Sequence, residues 1–139
     1  MGHRGLPRPR LEVEVKVDEK RPPRAFTVGR AKPITIQDCG TLRLEADEQV
    51  TFLTSRGAEY DVARKAWGFY ATPSTNGRLS TFGLRAALVK NEHGRFYVMI
   101  VERSCEAAFE QYLSDEANHV VAWLDDEKTL AAIENATRA

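Results

Sequence analysis

An α+β fold is predicted: a β-rich antiparallel body, sandwich-like or barrel-like, closed by two C-terminal helices. Three observations predict it. Short stretches of strand character recur roughly every 8–12 residues as far as residue 102. Glycine- and proline-containing turn signals separate them. Beyond residue 103 the period changes, with Cys105, Ala108, Phe109, Tyr112 and Leu113 following the i, i+3, i+4, i+7, i+8 stripe of an amphipathic helix.

Taken in order, residues 1–10 read as a basic arm and residues 11–139 as one domain. Leu11-Glu-Val-Glu-Val-Lys-Val17 alternates apolar and charged side chains, the period of a half-buried strand. Arg21-Pro22-Pro23-Arg24 is expected to break the chain, since proline cannot donate to a ladder. Residues 25–29, 34–37, 41–45 and 49–54 read as further short strands punctuated by Gly29, Pro33, Gly40 and Ala46-Asp47-Glu48. Residues 66–71 form an aromatic strand, and Asn76-Gly77 matches a tight hairpin turn. Strands 81–90 and 95–102 flank a loop at Asn91-Glu-His-Gly94. Phe96-Tyr-Val-Met-Ile-Val101 is apolar on both faces, which predicts cover on both sides. The helices occupy about 104–139. Ser104 is the expected cap of the first; Asp125 and Asp126 favour the start of the second, over 127–137, and residues 120–124 lie between them as a buried strand or plug.

The 139 residues are 42% hydrophobic and 29% charged, enough for a core and unlike a disordered chain. Lys plus Arg and Asp plus Glu number 20 each, for a net charge of zero. That total hides +5 over residues 1–37 (nine basic, four acidic), +1 over 38–101 (eight and seven), and −6 over 102–139 (three and nine). The molecule is expected to be a dipole, either simply solvated or complementary to a partner or a second copy.

A nucleic-acid binder is disfavoured. The basic arm is interleaved with Pro and Glu, and no stacking aromatics accompany it. No apolar stretch approaches about eighteen residues, so no membrane span is expected. With no apolar leader behind the basic N-terminus, Cys39 and Cys105 are expected as reduced thiols in a cytoplasmic protein. No zinc-type spacing of His or Cys occurs, and neither glycine-rich nucleotide motif is present, so no metal and no cofactor are expected.

The densest run of candidate functional residues is Glu59-Tyr-Asp-Val-Ala-Arg-Lys-Ala-Trp-Gly-Phe-Tyr-Ala-Thr-Pro-Ser-Thr-Asn-Gly-Arg78. Sugar recognition uses flat aromatic faces ringed by planar polar groups, and anion recognition uses Arg forks. Arg64, Trp67, Tyr70, Asn76 and Arg78 supply either as ligand-binding candidates, with Asp61 to orient the arginines. Strand alternation sets Trp67 and Phe69 on one face and Gly68, Tyr70 and Thr72 on the other, the latter being the expected open face. The alternative is that Trp67 and Phe69 are core. Arg85 joins the candidates, because in Phe82-Gly-Leu-Arg-Ala-Ala-Leu-Val89 it stands alone on an apolar face. It must either pair, with Asp61 or Glu102, or look into a cavity where an anion would meet it. The catalytic residue is not identified; Asp61, Tyr70 and Cys39 are the candidates. Cys39 or Cys105 with His119 would make a nucleophile–base pair, with no motif behind it.

The segment from Tyr60 to Leu79, followed by Phe82-Gly-Leu-Arg85, resembles small uncharacterised bacterial proteins associated with surface-sugar biosynthesis genes. The resemblance spans about residues 58–124. It implies a sugar as ligand and transfers no catalytic residue. Three expectations follow: a small-molecule binding or accessory protein for a sugar or anionic sugar derivative; a metal-independent isomerase or lyase acting on such a sugar; or an interaction protein that uses its oppositely charged ends to bind itself or a partner.

Overall fold

Eight strands and three helices follow one another in the computed structural model, which describes residues 16–138. The expected basic arm, His3 and most of the strand at 11–17 lie outside the described residues. The strands form three antiparallel sheets, ordered β1-β2, β3-β4-β5 and β7-β6-β8. The fold is therefore α+β and rich in antiparallel strand. No ladder joins one sheet to the next among the described strands.

The first sheet is a long ribbon of β1 (Lys16–Val28) and β2 (Ile34–Arg43). The expected break at the prolines does not occur. The register jumps between Glu19 and Arg24, so Pro22 and Pro23 sit in a bulge where no ladder donor is required. Strands 34–37 and 41–45 are likewise continuous. Gly40 carries the chain through at φ 149°, and a Cβ there would lie 2.3 Å from the Asp18 carbonyl oxygen.

The second sheet holds β3 (Gln49–Leu53), β4 (Glu59–Lys65) and β5 (Gly68–Ala71). Asn76-Gly77 does not make a hairpin. Ser74 bends the chain instead: its hydroxyl accepts from Arg78 N–H at 3.2 Å, and its carbonyl accepts from Gly77 and Leu79 N–H. The short helix α1 (Arg78–Thr81) results, and it buries Leu79 to 1% exposure.

The third sheet places β6 (Leu84–Lys90) between β7 (Phe96–Glu102) and β8 (His119–Trp123). The loop before β7 forms as expected. The Asn91 side-chain oxygen accepts from His93 and Arg95 N–H, both at 2.9 Å, and Gly94 takes φ 78°. One apolar cluster, of Ala58, Leu79, Leu84 and Ala86, lies on one face of β6. The other, of Ala87, Val89 and Leu113, lies on the opposite face under α2 (Glu106–Asp115). β7 is not covered on both sides as expected. It is an edge strand, and Phe96, Tyr97 and Val98 are exposed.

A single 3₁₀ turn at Arg103–Cys105 leads into α2, with Cys105 rather than Ser104 at the cap position and no side-chain capping bond. The last helix, α3 (Glu127–Thr137), starts at its expected residue. Asp126 caps it, accepting from Thr129 N–H at 3.0 Å, which together with the Thr129 hydroxyl holds the carboxyl below its usual range. Among the described residues no helix is long and apolar enough to cross a membrane.

Candidate functional site

Residues directly opposed in an antiparallel ladder share a face. Gln49 opposes Ala63, Thr51 opposes Asp61, Ala63 opposes Tyr70 and Lys65 opposes Gly68. One face of the β3–β4–β5 sheet therefore carries Gln49, Thr51, Asp61, Ala63, Lys65 and Tyr70, with Leu53 and Glu59 at the end away from Lys65. The other carries Val50, Phe52, Tyr60, Val62, Arg64 and Phe69. The first face is mostly polar and open, and the second is predominantly apolar, with Phe52 and Phe69 on it also exposed.

A connected row of polar groups crosses the first face. The Thr51 hydroxyl donates to Asp61, and Thr72 N–H donates to the Asp61 carbonyl at 3.0 Å. The Thr72 hydroxyl donates to the Gln49 amide oxygen at 3.5 Å, and the Arg78 guanidinium donates to the Thr72 hydroxyl at 3.4 Å. Arg78 also lies 5.4 Å over the Phe82 ring. Its ion pairs among the described residues number none, so several of its donors remain available.

At the far end of this face, Trp67 stacks on Tyr70 with centroids 5.9 Å apart and planes inclined by 28°. Both rings are open to solvent, Trp67 at 70% and Tyr70 at 45% exposure. Strand alternation would have put Trp67 beside Phe69. Trp67 lies instead in the turn before β5, and Gly68 at φ 144° redirects the chain. A Cβ at Gly68 would meet nothing within 4 Å, so the backbone angle alone calls for glycine. Lys65 pairs with Asp47 alongside, and the carboxylate holds the Lys65 ammonium above its usual pKa.

The other sequence candidates lie elsewhere. Arg64 is on the opposite face of this sheet. The Asn76 amide donates to Glu127 at 3.1 Å, tying the turn before α1 to the start of α3. Cys39 is exposed on the β1–β2 ribbon, where its thiol donates to the Gln37 carbonyl at 3.4 Å. It is thus in a different sheet from Asp61 and Tyr70. Cys105 has Arg56 and Ser104 as polar neighbours rather than a histidine, and both cysteines are free.

Arg85 pairs, though not with Asp61 or Glu102. Its Nε and Nη2 donate to the two oxygens of Asp125 at 2.8 and 3.0 Å, and its Nη1 donates to Glu106 at 3.2 Å. The guanidinium lies 3.8 Å from the Trp123 ring centroid. This fork raises the Arg85 pKa further and holds the Asp125 carboxyl below its usual range. Of the two expected alternatives it is pairing that occurs, with other partners: the guanidinium is committed to two carboxylates and an indole face.

Sequence reasoning missed an apolar cleft of about 730 Å³ between the lip of β3, the edge of β7 and α2. The signal was present in two places, the apolar Phe52-Leu53 pair and the strand 96–101 with apolar residues on both faces. Only their juxtaposition was invisible. No family model matches the chain, nor does any curated protein or solved structure.

Proposed function

We propose that the protein binds a carbohydrate, neutral or acidic, on the open face of the β3–β4–β5 sheet. The observation that carries this reading is the solvent-exposed Trp67–Tyr70 pair at the end of a row of planar polar groups. Two large rings held in water without cover are costly unless something stacks on them. Sugar C–H faces do so, while Asp61, Gln49 and Thr72 are spaced along the strands to meet hydroxyls. Arg78 at one end supplies a cation for an acidic substituent. Arg85, Arg64 and Asn76 are not part of this site.

Trp67 is one of only two tryptophans, so a Trp123→Phe background makes it the reporter. Titration with neutral sugars, uronic acids, sugar phosphates and nucleotide sugars is expected to shift its fluorescence and raise the melting temperature for one class. Trp67→Ala and Tyr70→Ala are each expected to abolish the melting shift while leaving the unliganded melting temperature unchanged, because both rings are exposed. A sugar that binds Trp67→Ala as tightly as the parent chain would sink the reading.

A further inference from the structure

The apolar cleft is a second site, at the end of the β3–β4 ladder away from Trp67 and Tyr70. Its walls are Phe52 and Leu53 of β3, Tyr60 of β4, Met99 and Ile100 of β7, and Phe109 of α2. Its volume, about 730 Å³, is that of small-molecule sites. Only some of these side chains pack against the two core clusters; Phe52 and Leu53 stand open at the lip.

The mouth of the cleft carries an independent clue to what fits. Ala58 and Glu102 line both the cleft and an adjoining hollow that contains Arg56, Arg103 and Ser104. The Arg56 guanidinium donates to the Cys105 thiol at 2.9 Å, and Cys105 itself lines the cleft. Among the described residues Arg56 has no carboxylate within ion-pair distance, while Arg103 has only a loose one, Asp125 at 3.9 Å. A guanidinium offers five donors in a planar fork that suits a carboxylate or phosphate. Arg56, Arg103 and one carboxylate residue, Glu102, line this rim.

We infer that the cleft takes a single-chain amphiphile, its apolar chain between β3, β7 and α2 and its anionic head on Arg56. Carboxylate and phosphate heads share the chemistry. Dodecanoate, dodecyl phosphate and dodecyltrimethylammonium, each below its micelle concentration, separate the possibilities. In a Cys39→Ser background Cys105 is the one remaining thiol, so its alkylation rate reports occupancy. One or both anionic probes are expected to protect Cys105, and the cationic one is not. Arg56→Gln is expected to weaken the anionic probe by about tenfold to a hundredfold, the loss of a charged hydrogen-bonding partner. Glu102→Gln is expected to tighten it. Leu53→Asp, at an exposed lip position that does not threaten folding, is expected to abolish protection. Equal protection by the cationic probe, or unchanged affinity in Arg56→Gln, overturns the inference. So does Cys105 protection that rises with protein concentration alone, since a second copy would then fill the cleft. An extended peptide paired along β3 or β7 that protects Cys105 while neither anionic probe does would likewise refute it.

Discussion

Arg85→Met is the substitution that most directly tests the electrostatic reading of the β6–β8 region. Methionine keeps much of the stem volume and removes the guanidinium. Lost with it are two hydrogen bonds to Asp125, one to Glu106 and the stacking on Trp123. Asp125 is left with Arg103 at 3.9 Å as its nearest cation. Breaking a fully buried pair costs about 3–5 kcal/mol. Here Arg85 and Asp125 side chains are 20% and 18% exposed, so water reaches the abandoned carboxylate in part. A loss of about 2–3 kcal/mol near neutral pH follows, of which the cation–π contact supplies about 0.5–1 kcal/mol. The pH dependence has a definite sign. Asp125 titrates lower in the folded chain than in the unfolded one, so its stabilisation is complete above the usual carboxylate pKa of about 4 and is lost as pH falls below it. Arg85→Met should therefore differ most from the parent chain near neutrality and least in acid, as measured by urea unfolding followed by far-ultraviolet circular dichroism. A loss below about 0.5 kcal/mol near neutrality, or a gap between the two chains that widens in acid, would refute the reasoning.

Leu79→Ala should destabilise the whole domain by about 2–4 kcal/mol in the same unfolding assay, because the side chain is 1% exposed in the cluster with Ala58, Leu84 and Ala86. Gly40→Ala should speed amide hydrogen exchange along β1 and β2 and leave the β6–β7 ladder unchanged, since the new Cβ would press on the Asp18 carbonyl at a positive φ. Asp126→Ala should lower the helical signal of residues 127–137, and Asn at the same place should retain most of it. In the parent chain the same fraying should appear only as pH falls below the lowered Asp126 pKa.

Local chemistry was legible in the sequence wherever it was self-contained. Asp126 beside a helical stripe specified the start of α3, and Asn91 with Gly94 specified the loop between β6 and β7. Pro22, Pro23 and Gly40 read as strand ends in the sequence, whereas a two-stranded ribbon tolerates a bulge that a central strand would not. The face shared by Asp61 and Tyr70 is visible from alternation and pairing, but Trp67 joined it only because Gly68 left the regular strand conformation. Arg85 on an apolar face announced that it needed partners. Their identities lay 40 and 21 positions away, on segments whose approach no periodicity encodes. The cleft was hidden for the same reason, being built from β3, β7 and α2.

The segregated charge of the chain has a structural counterpart inside one molecule. Asp115 and Glu116 sit at the C-terminal end of α2, where the helix dipole disfavours anions. The turn between β1 and β2 brings cations to that end. Arg30 N–H donates to both Glu116 oxygens at 3.0 and 3.1 Å, the Arg30 side chain donates to Glu92 at 2.7 Å, and Lys32 lies 3.5 Å from Asp115. Farther along the ribbon, Lys20 and Arg24 converge on Asp38, and Arg43 meets Asp18. The basic first third thus reaches the acidic last third at one place, through Lys32 on Asp115 and Arg30 N–H on Glu116, whereas the Asp38 and Asp18 pairs lie within the ribbon. Among the described residues Arg56 at the cleft and Arg78, at the opposite end of the polar face from the aromatic pair, form no ion pair, and neither do Lys16, Arg64, Lys90, Arg95 and Lys128. The cations left without a carboxylate are therefore spread over the fold rather than gathered at one end.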